Sequence, residues 1–421
     1  MLKRYVSQLT MLGLLWSANT AWSSPQAAQP KPKDQQEFEL INSVYKETDD
    51  NKKLALMEQW KQKYPETEFR ETRVALMMNS YANVGQLPKA IDAARELLGI
   101  APNSFAAHFT LARLAPFVGS NDPKLLADAE KSGTALLTIE KPEAVKDEQW
   151  PELKKQASYL GQQAIGWSAM VQKKNEVAEQ AFLKALEISP VAAQISYWLG
   201  TVVLAQRNPD KNALALFSFA RAAAFDGAGA LTPAGRQQID AYLTKVYKGY
   251  HGDESGLAEL KQMAKTQPLP PPGLKIKSGE EIRAEKEEEL RKSNPLLATF
   301  LAIKEELTGA NAAGFWENMK GKAMPELRGK VLTAKPAVRP KVVEVAISQG
   351  EVAEISLATP ETPTRCQIEP GANITFTNAE ALEFQQKPFL IKMQGGKITD
   401  GCTEPPALTK KAPTGKKAGK K

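Results

Sequence analysis

The stretch AEQAFLKALEISP, residues 178–190, constrains the fold of this chain more than any other. Ala178, Ala181, Phe182, Ala185, Leu186 and Ile188 fall at helical spacing on one face, and Pro190 stands just past the end of the run. An ordinary core helix uses Leu and Ile on its buried side. A stripe of alanines with one ring in it calls for a second helix packed very close. The same small-residue and aromatic pattern recurs along the chain, so the stripe belongs to a repeat.

Counting Tyr159 as the start of a unit of 34 residues places Gly166 at position 8, Ala178 at 20, Phe182 at 24, Ala185 at 27 and Pro190 at 32. This resembles the tetratricopeptide repeat (TPR), a helix–turn–helix of that period. Small residues at 8 and 20 let the two helices of a unit approach, and the larger residue at 24 fills the gap to the next unit. A second unit from Glu71 carries Tyr81, Gly85, Ala90 and Pro102; a third from Ala193 carries Leu199 and Gly200. The second helix of that third unit brings Ala213, Phe217 and Ala220 one residue late, behind a longer turn at 207–210. A degenerate unit starts at Phe105, with Leu111, Ala112 and Gly119, then Ala129, Gly133 and Leu136 after a short insertion. Helix pairs at 37–64 and 235–266 flank the array. Because one unit cannot bury its own apolar face, the expected fold is mainly α: a TPR-like α-solenoid over 37–266 with a concave groove.

The texture then changes. QPLPPPG at 267–273 opens a stiff, Pro-rich linker over 267–278. A helical bridge over 279–324 follows. It begins with the charged GEEIRAEKEEELRK and continues through Leu296, Leu297, Phe300, Leu301, Ile303 and Leu307, to end near FWENMKG. From residue 325 to 406 the period becomes two. The runs GKVLTAKP, KVVEVAIS, EVAEISLA, NITFTN and FLIKMQG predict five or six short strands, with a hairpin turn at 348–351. Such a set suits a small all-β domain, an OB-like barrel or a sandwich, in which Gly329 permits a coil or bulge.

At the N-terminus Lys3 and Arg4 precede a short apolar run to Trp16, followed by Ala18, Ala21 and Ser23. That is the layout of a signal peptide over 1–23, with a flexible linker over 24–36, and it predicts a periplasmic or secreted protein. The apolar run is too short to span a membrane comfortably. In an oxidising compartment the two cysteines, Cys366 and Cys402, are a disulfide pair, the alternative being two free thiols. The net charge of +7 is localised: the tail at 407–421 holds six lysines, and without these and Lys3 and Arg4 the body is within one charge of neutral. The tail reads as disordered, and a contact with an anionic surface is open to it.

Four further stretches, YHGDESGL (250–257), PPPGLKIK (270–277), LRGKVLTAKP (327–336) and KPFLIK (387–392), resemble a family of secreted bacterial TPR proteins. The resemblance implies the order repeats, helical bridge, small β domain, together with export. It carries no activity with it.

Nothing in the chain composes a catalytic or metal centre. His108 and His251 are the only histidines, and no GxSxG, HExxH, phosphate loop or GxGxxG is present. His108 reads as core or groove lining. Among the β-rich runs the only aromatics are Phe376, Phe384 and Phe389, too few for a nucleic-acid stacking platform. No cofactor is implied. The partner expected is a protein or peptide held in the groove; the alternative is envelope assembly or polymer binding through the β domain and tail. In TPR units the first helix lines the groove, and the positions concerned are Asn79 and Asn83, then Gln163, Trp167 and Met170, then Tyr197 and Thr201. Ala75, Gln163 and Tyr197 stand where a carboxylate clamp needs its polar and basic residues, so an amphipathic or extended peptide on Trp167 and Tyr197 is the expected ligand. The competing expectation is that both rings pack in cis against the bridge near Phe300.

Overall fold

A computed structural model describes residues 30–404, except 120, 349 and 360–365. The signal-peptide segment, most of the linker at 24–36 and the lysine tail lie outside the described residues. The chain divides into two compact units, one running to Ser278 and one starting at Gly279. No described helix is long and apolar enough to cross a membrane.

The first unit is a succession of antiparallel helices: α1 (Gln35–Lys46), α2 (Asp50–Lys63), α3 (Arg70–Asn83), α4 (Leu87–Ile100), α5 (Phe105–Val118), α6 (Pro123–Thr138), α7 (Trp150–Val171), α8 (Asn175–Ile188), α9 (Ala193–Ala205), α10 (Asn212–Ala224), α11 (Pro233–His251) and α12 (Leu257–Thr266). From α1 to α11 each packs on its chain neighbours, as a helical repeat requires, and α12 packs back on α10. Local chemistry sets the ends. Asp34, Asp49, Ser104, Asp122 and Thr232 accept backbone N–H groups at helix starts. Gly85 and Gly252 take the positive φ that closes the turns after α3 and α11. The stretch at 31–36 is not a free linker: Lys31 N donates to Glu68 Oε2 (2.8 Å) and Lys33 N to Glu37 Oε2 (2.6 Å).

The alanine stripe of α8 has the cause its composition suggests. Phe182 is wholly buried, and a Cβ added at Gly166 would lie 2.5 Å from its ring. The ring also stands 5.7 Å from that of Trp198 in the next unit, so it seals its own helix pair and the following joint together. At the α6–α7 crossing a Cβ on either Gly133 or Gly161 would meet the other's carbonyl oxygen at 2.7 Å. In the next unit the register differs from the expected one. A 3₁₀ turn at Pro209–Lys211 inserts three residues, and Lys211 Nζ anchors it on the buried Glu179 of α8 (2.7 Å). Ala215, Phe219 and Ala222, rather than Ala213, Phe217 and Ala220, therefore repeat the roles of Ala178, Phe182 and Ala185. The ring over Gly200 is that of Phe219, 3.0 Å from a Cβ placed there.

The Pro-rich segment is not a spacer. Leu269, Leu274 and Ile276 pack on the cores of the last repeats, and His251 Nδ1–H donates to the Lys277 carbonyl (2.8 Å). Arg221 ties the same end. Its guanidinium donates to the carbonyls of Ala264 (3.0 Å), Lys265 (2.6 Å) and Pro190 (3.1 Å).

The second unit comprises α13 (Gly279–Ser293), α14 (Pro295–Thr308) and α15 (Ala312–Met319), then strands β1 (Leu327–Lys335), β2 (Val342–Ala346), β3 (Ile355–Ala358), β4 (Asn373–Thr377), β5 (Glu380–Gln386), β6 (Phe389–Gln394) and β7 (Lys397–Asp400). The sheet order is β5-β6-β3-β2-β1-β4-β7; β3 and β6 are parallel and all other pairs antiparallel. The expected closed barrel is not what the described strands form: β5 and β7 are the two edges of an open sheet. Seven strands replace five or six. A register shift in β5 between Ala381 and Glu383 breaks its alternation, and β7 is only four residues long, so neither shows a clean period of two. β2 ends at Ala346 and β3 begins at Ile355, so the connection is longer than the expected hairpin turn at 348–351, of which residue 349 lies outside the described residues. It wraps around the buried Glu354 carboxylate, which accepts from Ile347 N (2.8 Å), Ser348 N (2.7 Å), Ser348 Oγ (2.6 Å) and Lys304 Nζ of α14 (2.6 Å). Gly329 makes no bulge; a Cβ there would lie 2.6 Å from Ala346 O and from the side chains of Val345 and Ile347. Phe300 and Leu307 of α14 are buried on the sheet, with the Phe300 ring 6.2 Å from that of Phe389. Cys366 and Cys402 are joined, their Cα atoms 5.1 Å apart.

Candidate functional site

The seven groove positions expected from the repeat do not share one environment. Asn83 Nδ2 donates to Asp50 Oδ2 (3.0 Å) and so ties α3 to α2, while Asn79 is half-buried on α3. Gln163 is buried and accepts from the Tyr159 hydroxyl (3.0 Å), whose pKa burial pushes up to about 12. Trp167, expected as an aromatic anchor, is only 4% exposed and belongs to the core of the central repeats; Met170 is half-buried beside it. Helix α7 explains this. It starts nine residues ahead of the repeat unit, at Trp150, and packs on α5 and α6 as well as α8. Phe300, the expected cis neighbour, is used inside the second unit's own core.

Tyr197 and Thr201 are placed differently. They line a cleft of about 460 Å³ between α9 and α11, together with Gln194, Leu231, Gly235, Gln238, Ile239 and Tyr242. Helices α9 and α11 scarcely touch; α10 packs on both and bridges them. The two walls are braced by the repeat contact itself. Phe219 fills the notch at Gly200, and its ring lies 6.1 Å from Tyr197 on one wall and 5.2 Å, edge to face, from Tyr242 on the other. Tyr242 is 44% exposed. Thr201 Oγ1 donates to the Tyr197 carbonyl (2.9 Å), so its hydrogen is spent inside α9.

Among the described residues no charged side chain lines the cleft. It offers two carboxamides and two phenols around Leu231 and Ile239. Such a lining pairs with the N–H and C=O groups of an extended chain while the rings cover an apolar side chain. It holds no nucleophile beside a base. Both histidines stand elsewhere. His108 is buried with Nε2–H donating to the Pro102 carbonyl (3.1 Å) and Nδ1 accepting from Ser132 Oγ (3.2 Å); burial lowers its pKa, so the neutral ring is the resident form. Among the described residues no group of His, Cys, Asp and Glu is arranged to hold a metal. The repeat positions point to α9 but not to α11. The signal for the second wall was the four-residue spacing of Gln238 and Tyr242 about Ile239, which continues the groove lining one helix pair further.

No protein-family profile matches the sequence, and no curated protein matches it. Among solved structures the chain is similar to a double mutant of MamA from RS-1, at 14% identity, over 50% of this chain and 98% of that one, with a TM-score of 0.31. It is also similar to TTC0263, a thermophilic TPR protein of Thermus thermophilus, at 13% identity, over 50% of this chain and 97% of that one, with a TM-score of 0.28.

Proposed function

We propose that this protein is an exported, non-catalytic scaffold whose helical repeats hold a segment of a protein partner, with the cleft between α9 and α11 as a principal contact. One observation carries the reading: Tyr197 and Tyr242 face each other across an uncharged cleft, both braced on the buried ring of Phe219. Rigid aromatic walls with amides beside them provide large contact area at low ordering cost. The basic start and apolar run at the N-terminus support export, as does the pairing of Cys366 with Cys402.

The test is selection of short random displayed peptides on the full chain, followed by affinity measurement on the Tyr197→Ala/Tyr242→Ala double variant. The variant is expected to keep its helical circular dichroism and lose about 30-fold in affinity for the selected peptides, the scale of an interface hot spot. If no peptide is enriched on the wild-type chain, or the double variant binds unchanged, the reading fails.

A further inference from the structure

The hairpin joining β1 to β2 presents positive charge and apolar surface together. Between Glu326 and Glu344 the chain holds the cations Arg328, Lys330, Lys335, Arg339 and Lys341 and no acidic residue. Lys335, Arg339 and Lys341 stand at the tip, residues 335–342, with Val338 and Val342. Every residue of the tip except Pro340 is exposed, and the two valines are 43% and 40% exposed.

This exposure is built, because the tip's backbone is tied down. Lys341 N donates to the Lys335 carbonyl (2.9 Å), Arg339 N to Cys366 (2.8 Å), Ile368 N to Ala337 (3.1 Å) and Thr359 N to Lys341 (2.9 Å). Thr359 Oγ1 donates to the Pro340 carbonyl. With these backbone groups paired, the side chains are what remains unmatched. Among the described residues Lys335 and Lys341 make no side-chain hydrogen bond or ion pair. Lys335 lies directly opposite Val342 in the β1–β2 register, so a cation and an apolar side chain sit side by side on one face.

The lysine tail starts from the same place. Gln367 pairs with Val338 on one side and Thr403 on the other, and the Cys366–Cys402 bond fastens the last two segments together. Lys410 follows Thr403 by seven residues, a reach of at most ~25 Å. Glu369 and Glu404 are close in sequence to these pairings, and Glu369 already accepts from Gln367 Nε2 (3.0 Å). Two carboxylates do not balance the three tip cations and the six tail lysines.

We propose that the β1–β2 tip and the tail dock on an anionic phospholipid bilayer. Lys335, Lys341 and the tail lysines meet lipid phosphates, while Val338 and Val342 enter the boundary between headgroups and acyl chains. A soluble polyanion would match the cations and leave the valines in water, and the tip has no ring on which a nucleobase could stack. A bilayer surface matches both, since such attachment scales with buried apolar area plus attraction to anionic lipid. The inference is independent of the groove reading.

Flotation of the full chain with lipid vesicles tests it. Vesicles of phosphatidylcholine and phosphatidylglycerol in equal parts should carry the protein, and vesicles of phosphatidylcholine alone should not. Lys335→Gln/Lys341→Gln should weaken partitioning about tenfold or more, and Lys335→Arg/Lys341→Arg should leave it near wild type. Val338→Ser should weaken it about threefold, and Val338→Ser/Val342→Ser about tenfold. Deleting 410–421 should weaken binding but keep the preference for anionic vesicles. The substituted side chains are exposed, so each variant should keep the wild-type melting temperature; Val338→Ser, a change in the tip alone, carries the apolar test should the double serine variant melt early. Equal recovery with both vesicles, or with neither, would overturn the proposal. So would wild-type binding by the glutamine variant, or loss of all vesicle preference on deleting 410–421, because either result assigns the contact to the tail alone. Unchanged binding by the serine variants would show a contact of charge only, as with a soluble polyanion, and would overturn the bilayer as partner.

Discussion

The two units bury their apolar faces by different means. In the helical unit the notches between helices join pieces within about one repeat of each other: Gly166 with Phe182, Gly200 with Phe219, Gly133 with Gly161. In the β unit consecutive strands pair at β1–β2, β2–β3 and β5–β6, but the pairings that set the order of the sheet are distant. Ile355 pairs beside Ile391, Leu327 beside Phe376, and Glu354 takes its cation from Lys304 on a helix that precedes the sheet. Local contacts repeat and therefore leave a period in the sequence. Distant ones are made once each and leave none. The same difference governs where a loss should be felt: a helical repeat is a chain of neighbour terms, whereas a single sheet is one cooperative piece.

The largest test of this contrast is loss of a repeat ring. Phe182→Ala and Phe219→Ala should each cost about 3–5 kcal/mol in urea unfolding of the helical unit, the usual cost of deleting a buried Phe. They should part company in binding. Per folded molecule Phe182→Ala keeps its peptide affinity, while Phe219→Ala, which removes the ring that braces Tyr197 and Tyr242, loses it. Equal affinities for the two variants would separate the repeat contact from the cleft and break the link drawn here.

Next in size is the covalent tie of the β unit. Cys366 and Cys402 are 36 residues apart, and cross-linking such a loop stabilises by at most about 4 kcal/mol in the chain-entropy model. Non-reducing peptide mapping should find the two linked, and reduction should lower the unfolding midpoint of the sheet. Quantitative alkylation of both thiols without reductant would contradict this.

A smaller effect should appear on acidification. Burial alone would raise the Glu354 pKa, but the hydrogen bonds from Lys304, Ser348 and Ile347 outweigh it and hold the carboxyl below its usual value of 4.5. The folded pKa is thus the lower one. The stability Glu354 contributes is complete above about pH 4.5, the unfolded value, and is lost as pH falls through the folded value. Glu354→Gln should cost about 1–3 kcal/mol at neutral pH and flatten the acid limb of the second unit's stability profile. An unchanged acid limb would show that the carboxylate is not a control point.

The finest test compares the two notch glycines. A helical Gly→Ala change gains up to about 1 kcal/mol in propensity. At Gly166 the new Cβ sits 2.5 Å from Phe182, deep inside contact distance, and overpacking of about 1–3 kcal/mol should win. At Gly200 the nearest atoms stand farther off, Phe219 at 3.0 Å and the Ala215 carbonyl oxygen at 3.1 Å, so a shift of a few tenths of an ångström makes room for the methyl. Gly200→Ala should therefore stay within ~1 kcal/mol of wild type and shift peptide affinity instead. Equal destabilisation at both positions would mean that the α9–α10 crossing cannot make that shift.

Much of the helical unit was legible beforehand. The alanine stripe of α8, the glycines at position 8 and the prolines after the second helices all follow from one rule, close approach of neighbouring helices. The third unit lies two residues beyond the register its sequence suggests, because a 3₁₀ turn anchored by Lys211 on Glu179 is a tertiary matter. Of the site, Tyr197 and Thr201 could be named from repeat positions. Trp167 could not be told apart from them, since position 9 sets the direction of a side chain but not what lies over it.

What the sequence determined by itself was the repeat: its period, its notches and the rings that fill them, because these depend on residues a few turns apart. Only the tertiary structure decided that Trp167 is covered while Tyr197 is open, and that the described strands lie in an open sheet instead of a barrel. Exposure depends on the helix after next, and strand order on pairings made across the whole second unit. Neither leaves a periodic mark in the chain.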